Sequence, residues 1–370
     1  MNLLVYGGWF GSGNLGDEAI LQGVNKIFTE KIPEARLIAL STNPRYTFEQ
    51  TGVRAVQIES PKTFVYNINR YLKLFKEVDA HILSGGTPFY DYSHLSRLIH
   101  MGLPALNNQK VFCFGVGCKP INTLKGRKIT RLILKNTEMI STRDTPSKQI
   151  LQSLFNSKSQ PITVTGDSSL MLNPAKLRRE NELVLFCPRR LNENHRILYH
   201  QKVDDATINK IRLLQANLAD RLIEEGYKVS FIPFHCVFPD DDREEINIIC
   251  KLMRHKAELI SRPKNTNEAL EVISRAYLLV GLRLHSLILA SLQGTPFVSI
   301  NYDIKIKGFM RHMYCSDYFI EVNQELNNLY DKAKLIMNNQ KEISKDLLKR
   351  VNTLKKLIGF EADRLVSAIT

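Results

Sequence analysis

Leu3-Leu4-Val5-Tyr6-Gly7-Gly8, followed by Gly11-Ser12-Gly13-Asn14-Leu15-Gly16-Asp17, decides the fold. The apolar run Leu3–Tyr6, meeting two glycines, predicts a buried strand closed by a tight turn. From Asp17 on, Ile20, Val24, Ile27 and Phe28 recur at helical spacing, so a helix follows with Asp17 as its cap. Strand, glycine turn and helix in that order open a parallel α/β sheet.

The same rhythm recurs. Ala35–Leu40, Val78–Leu83, Val111–Val116, Met139–Ser141 and Ile162–Thr165 read as strands, two of them running into Gly85-Gly86 and Gly115-Val116-Gly117. Asn173–Asn181, poor in apolar residues and carrying Pro174, reads as a linker. The pattern then restarts with strands at Leu183–Cys187, Lys228–Pro233, Glu258–Ile260, Leu278–Val280 and Phe297–Ile300. From about Glu321 the chain reads as helix to its end. The expected organisation is a first α/β domain over 1–175, a second over 182–320 and C-terminal helices over 321–370, with a cleft between the two domains. Open α/β sheets bind ligands beyond the C-terminal ends of their strands, so the turns after Tyr6, Ser84, Phe114, Cys187 and Val280 should line it.

Composition narrows the partners. The chain has 370 residues, with 51 Lys and Arg against 37 Asp and Glu, a net charge of +14. An excess of that size favours an anionic partner. Basic residues form only short runs, such as Arg178-Arg179 and Arg189-Arg190, so nucleic acid is not expected. The six cysteines form no CxxC and no zinc spacing, which points to a reduced, cytoplasmic protein without a metal site. The opening residues lack the basic region and long apolar core of a signal peptide, and no stretch reaches transmembrane length.

Gly11-Ser12-Gly13-Asn14-Leu15-Gly16 matches the dinucleotide fingerprint GxGxxG in letters. The first glycine lies too far past the strand, however, and the second strand ends in Leu40-Ser41-Thr42 with no acid to read a ribose. What survives is an anion-holding loop at a helix start.

Val280-Gly281-Leu282-Arg283-Leu284-His285-Ser286 carries the chemistry. It joins a strand end to a helix N-terminus, whose partial positive charge favours anions. Arg283 offers a planar fork for carboxylate or phosphate, and His285 can move a proton near neutral pH. The same residues also fit a structural alternative, with Arg283 paired to an acid and His285 capping the helix. Arg189, Tyr302 and Lys305 stand at other strand ends, and Arg143-Asp144 reads as a local ion pair.

Taken in order, these segments resemble the polysaccharide pyruvyl transferase family. The resemblance rests on Tyr6-Gly7-Gly8 with Gly13–Ile20, Gly85-Gly86 with Asp91, Gly115-Val116-Gly117, Ser141–Asp144, Gly166-Asp167, Pro188-Arg189, Ile232–His235 with Asp240-Asp241, Gly281–His285 and Tyr302–Lys305. Two departures stand within it: Ser84-Gly85-Gly86-Thr87, where three glycines are expected, and Cys118-Lys119-Pro120 after the third turn.

The resemblance implies a GT-B-like fold of two facing Rossmann-like domains with mostly parallel sheets, acceptor on the first and donor on the second. It implies transfer of pyruvyl from phosphoenolpyruvate to a sugar, giving a carboxyethylidene ketal and needing no cofactor or metal. Arg283 is then expected on the donor anion, His285 as proton carrier, and Arg189, Lys305, Tyr302, Gly281 and Leu284 around the donor. Asn14, Gly16, Gly85, Gly86, Asp17 and Asp91 are expected to bind substrate, with Asp17 or Asp91 as general base. A lipid-linked glycan acceptor would suit the basic surface, with peripheral contact at the inner membrane face; the oligomeric state is left open. The alternatives are a nucleotide-sugar-dependent GT-B glycosyltransferase and a non-catalytic anion- or glycan-binding relative.

Overall fold

The computed structural model describes every residue except 59–60, 92–93, 156–160 and 192–202. Two compact units divide the chain. The first comprises Met1–Ser12, Asp17–Leu172 and Leu354–Thr370, the second Gly13–Gly16 and Asn173–Thr353.

The first unit is built on a seven-stranded sheet: β1 (Asn2–Gly7), β2 (Arg36–Ser41), β3 (Arg54–Gln57), β4 (Ala80–Ser84), β5 (Val111–Val116), β6 (Met139–Thr142) and β7 (Ile162–Val164), in spatial order β3-β2-β1-β4-β5-β6-β7. The second is built on a six-stranded sheet: β8 (Leu183–Cys187), β9 (Lys228–Phe231), β10 (Glu258–Leu259), β11 (Leu278–Gly281), β12 (Phe297–Asn301) and β13 (Phe319–Glu321), in order β10-β9-β8-β11-β12-β13. Every pairing between these strands is parallel. Helices cover both faces of a parallel sheet, which is why its central strands are unbroken apolar runs. β4, β5, β8, β11 and β12 are buried along their whole length.

Each sheet reverses direction once. In the first, β1 is followed outward by β2 and β3, then the chain crosses to β4 beside β1. In the second, β8 is followed by β9 and β10, then β11 returns beside β8. The register places Gly7 opposite Ser84 and Gly281 opposite Cys187 at these reversals. A crevice beyond the strand ends is the usual ligand site there.

Sequence reading missed both β3 and β13. Both are short edge strands, β3 with no fully buried residue and β13 with one, so neither carries the apolar run that marks a central strand. The segment from 321 onward is also more divided than expected. The helix Leu326–Asn338 lies in the second unit, and the last helix, Gln340–Ile369, passes into the first unit at Leu354. There Ile358 packs against Gly166, and Glu361 accepts a hydrogen bond from Thr163 Oγ1 at 2.7 Å. The first helix spans Leu15–Lys31, two residues earlier than expected. Asn14 Oδ1 accepts from the Gly16 N–H at 3.2 Å, so Asn14 supplies the cap and Asp17 sits inside the first turn.

All six cysteines are unbridged, and four are buried. Burial raises the thiols of Cys113, Cys118 and Cys187 far above their ordinary value, as expected of small core residues.

Candidate functional site

In the second unit the residues that follow β8, β9 and β11 meet around one carboxylate. Asp242 opens the helix Asp242–Leu252 and is fully buried. It accepts from the backbone N–H groups of Phe234 (3.1 Å), His235 (3.0 Å) and Arg190 (3.2 Å). Arg283 completes the set, with Nε at 3.0 Å and Nη2 at 2.5 Å. One side chain thus ties together the turns after β8, β9 and β11. Arg283 also donates through Nη1 to Asp240 Oδ2 (3.2 Å) and through Nη2 to the Asp240 carbonyl (3.1 Å). Burial opposes the guanidinium charge, but Asp240 and Asp242 more than offset it and hold the group well above its ordinary value.

This geometry corrects the expectation of an open Arg283 fork. A guanidinium has five N–H donors, and these bonds leave Nη1 one to spare. Arg283 is first the brace of the rim and only at one edge an anion donor. The structural alternative, an acid partner, holds for Arg283. His285, on the first turn of the helix Leu284–Gln293, lies under the backbone of Gly16. A Cβ on Gly16 would stand 2.0 Å from His285 Nδ1, so only glycine leaves the ring its place. The loop Gly13–Gly16 is held there by the Leu15 N–H bond to the Phe234 carbonyl (3.3 Å) and by Arg262 Nη2 on the Gly13 carbonyl (2.9 Å).

Arg189 is buried beside Tyr302, which follows β12. Arg189 Nη1 donates to Tyr302 Oη at 3.0 Å, and Tyr302 donates to the Leu282 carbonyl at 3.2 Å, one residue before Arg283. Enclosure pushes the Tyr302 phenol up to about 12, so it stays a neutral donor. Lys305 lies on the first turn of the helix Ile304–His312, with Nζ 3.7 Å from Asp303 Oδ2. Gly281 ends β11, and buried Leu284 opens the helix beyond it.

In the first unit the glycine turns meet at the reversal between β1 and β4. Gly85 has φ +125°, and a Cβ there would stand 2.6 Å from the Gly8 nitrogen. Gly86 faces Asp17, whose Oδ1 would be 3.0 Å from a Cβ at Gly86. The Gly86 carbonyl accepts from the Gly117 N–H at 3.1 Å. Arg143 pairs with Asp144 as expected (3.3 Å), and also reaches Asp167 (3.6 Å) and Thr87 Oγ1 (3.3 Å). Asp91 is engaged differently from the expectation of a base. Its carboxylate accepts from the Asn122 N–H, from the Thr123 N–H at 3.1 Å and from Thr123 Oγ1 at 2.6 Å, which fixes the entry to the helix Leu124–Lys135.

The structure therefore gathers Arg189, Gly281, Arg283, Leu284, His285, Tyr302, Lys305, Asn14 and Gly16 in the second unit, and Gly85, Gly86, Asp17 and Asp91 in the first. Sequence reading named Asp240 only among the residues of the resemblance and missed Asp242 and Arg262 as parts of the site. The available signal was Asp240-Asp241-Asp242, three acids in a row just past a strand in a basic chain. Among the described residues no group of three or more His, Cys, Asp or Glu is arranged to hold a metal ion, and no helix is long and apolar enough to cross a membrane.

A family profile described as polysaccharide pyruvyl transferase matches residues 14–304. The amylovoran biosynthesis protein AmsJ of Erwinia amylovora is 19% identical over 309 residues, covering 79% of this chain and 74% of that protein. Among solved structures, a glycosyltransferase from Rickettsia africae matches with TM-score 0.66 at 11% identity, over 100% of this chain and 98% of that one. UDP-GlcNAc 2-epimerase from Neisseria meningitidis, bound to UDP-GlcNAc, matches with TM-score 0.63 at 13% identity, over 99% and 100%. These structural likenesses establish the fold: GT-B-like, with two Rossmann-like sheets and a C-terminal helix.

Proposed function

This chain belongs to the polysaccharide pyruvyl transferase family, and from that premise we propose that it transfers a pyruvyl group from phosphoenolpyruvate to a sugar of a cell-surface polysaccharide or its lipid-linked precursor, in the cytoplasm. The coarser statement, a transferase of polysaccharide biosynthesis, follows from the family and from the likeness to AmsJ. The observation that carries the finer one is the rim of the second sheet. Arg189, Arg283 and Lys305 stand at strand ends with His285 at a helix N-terminus, a cationic set suited to a small donor with two anionic groups.

In this reading Arg189 and Lys305 meet the donor's carboxylate and phosphate, with the spare Nη1 N–H of Arg283 as a third contact. Tyr302 orients Arg189. His285 delivers a proton to the methylene carbon, and positive charge develops at the adjacent carbon, stabilised by its ester oxygen. A sugar hydroxyl adds there and loses its proton to a base. The C–O bond to phosphate then breaks, and the second hydroxyl closes the ketal as its proton leaves. One hydroxyl proton replaces the proton His285 gave to the new methyl group; the other leaves with phosphate. General acid catalysis of this kind contributes about 10²–10⁴-fold.

Calorimetry with phosphoenolpyruvate, with UDP-GlcNAc as the competing probe, tests the reading. Saturable phosphoenolpyruvate binding is expected, weakened at least about tenfold in Arg189→Met, a loss of the size of one charge-assisted pair. Binding of UDP-GlcNAc with none of phosphoenolpyruvate replaces it with a nucleotide-sugar glycosyltransferase.

A further inference from the structure

The first unit wears its charge on one side. Right-handed crossovers place the helices after β3, β4 and β5 on one face of the sheet, because these connections all run in the same direction across it, whereas the helix after β1 runs the other way and covers the opposite face. Three helical segments on the former face are Pro61–Lys76, 94–106 and Leu124–Lys135, with the helix Thr145–Gln152 after β6 beyond them. They pack side by side on one layer of core: Tyr71, Leu74 and Phe75 with Ile99 and Leu103, then Met101 and Ala105 with Ile133 and Leu134.

None of the three segments contains an Asp or a Glu; the acid that directly follows the first, Glu77, lies 4.0 Å from Lys73. Their exposed bases include Lys62, Arg70, Lys73, Lys76, Lys125 and Lys128. Large apolar side chains stand among them: Tyr66 is 88% exposed, Leu124 77%, Leu95 51% and Leu106 49%. The opposite face is different in kind. There exposed Glu30 pairs with Lys26 (3.6 Å), and exposed Asp363 on the final helix pairs with Lys31, so both signs are mixed.

A helix surface that only had to be solvated would mix both signs. Basic side chains far outnumbering acids, interspersed with exposed Tyr and Leu, match the two attractions of an anionic lipid surface: charge for the headgroups and apolar area for the acyl boundary. We propose that this helical layer is the face by which the protein docks on an anionic bilayer. The helices begin at the C-terminal ends of β3, β4 and β5, so docking would bring the rim that carries the glycine turns close to lipid-borne sugars. The inference stands apart from the pyruvyl donor and is tested without it.

The full-length protein is floated with vesicles of phosphatidylcholine containing about 30 mol% phosphatidylglycerol, and with pure phosphatidylcholine, at ~50 and ~500 mM salt. Binding to the anionic vesicles at low salt is expected, lost at high salt and absent on phosphatidylcholine. The triple variant Lys73→Glu, Lys76→Glu, Lys128→Glu should bind at least about tenfold more weakly, since each basic residue near such a surface is worth about fivefold. The triple variant Lys251→Glu, Lys256→Glu, Lys264→Glu, in the second unit, makes the same change in net charge and should bind within about threefold of the parent. A third variant, Tyr66→Ser with Leu124→Ser, keeps the charge and should weaken binding by about threefold or more; it decides the matter if the first variant does not fold. Equal loss in both charge variants, no preference for anionic vesicles, or capture by soluble heparin with none by vesicles would each overturn the proposal.

Discussion

Arg283 and Asp242, 41 residues apart, form a buried two-point pair, with Nε 3.0 Å and Nη2 2.5 Å from the carboxylate. The pair binds the turns after β8, β9 and β11 into one rim, and the chemistry expected of His285 rests on that rim holding its shape.

Asp242→Ala is therefore expected to be one of the most damaging single changes in the second unit. It leaves the Arg283 charge buried with Asp240 as its remaining acidic partner among the described residues, and strips three backbone N–H groups of their acceptor. Breaking a buried pair from one side costs about 3–5 kcal/mol. Denaturant unfolding measures it; a loss below about 1 kcal/mol would show that the pair does not brace the rim.

Gly16→Ala probes the seat of His285. The added methyl would meet Nδ1 at 2.0 Å, so the ring must move or the Gly13–Gly16 loop must lift. Overpacking of this kind costs about 1–3 kcal/mol. A larger effect is expected on phosphate release from phosphoenolpyruvate, about 10²-fold, because a misplacement of an ångström has that consequence for a reacting group. Unchanged turnover would separate Gly16 and His285 from the reaction.

Tyr302→Phe removes the hydroxyl that links Arg189 to the Leu282 carbonyl. The stability cost is about 1–3 kcal/mol, since the Leu282 carbonyl loses a donor. Weaker phosphoenolpyruvate binding with phosphate release intact at saturation is the expected split, readable by calorimetry beside steady-state kinetics.

His81 gives a pH signature. It lies buried in β4 against Phe75, ring centroids 5.2 Å apart, and burial brings it down to about 4 from an ordinary 6.5. The folded protein thus keeps His81 neutral where the unfolded chain protonates it. Stability is unaffected by this group above pH 6.5 and is lost as pH falls from 6.5 toward 4, by about 3 kcal/mol in all. His81→Leu should flatten the unfolding free energy over that window; an unaltered pH dependence would show that His81 is not the group responsible.

Gly85→Ala tests the reversal in the first sheet. The residue sits at φ +125° with the Gly8 nitrogen 2.6 Å from the position of a Cβ, so backbone and not a flexible side chain must give way. A loss of about 1–3 kcal/mol is expected from the conformation alone, measured by thermal unfolding against Gly52→Ala, where φ is also positive but nothing lies within 4 Å.

Much of the fold was legible in the chain. The runs Leu183–Cys187 and Val111–Val116 are apolar throughout because parallel strands are covered on both faces, and Pro188 and Gly117 after them announce the turns. The segment around His285 was legible for the same reason: a strand end, a turn and a helix start are all local patterns. Asp91 was not, since only the fold brings Thr123 to its carboxylate, 32 residues away.

By itself the sequence determined the succession of strands and helices, the parallel class and the residues that crowd the strand ends, because periodicity and turn chemistry act over a few residues. The tertiary structure alone decided that Arg283 braces the rim, that Gly16 seats His285, and that three helical segments without an acid of their own, separate in the chain, share one face. Those facts depend on which strands become neighbours, and that choice is made by the burial of whole layers, not by any stretch read alone.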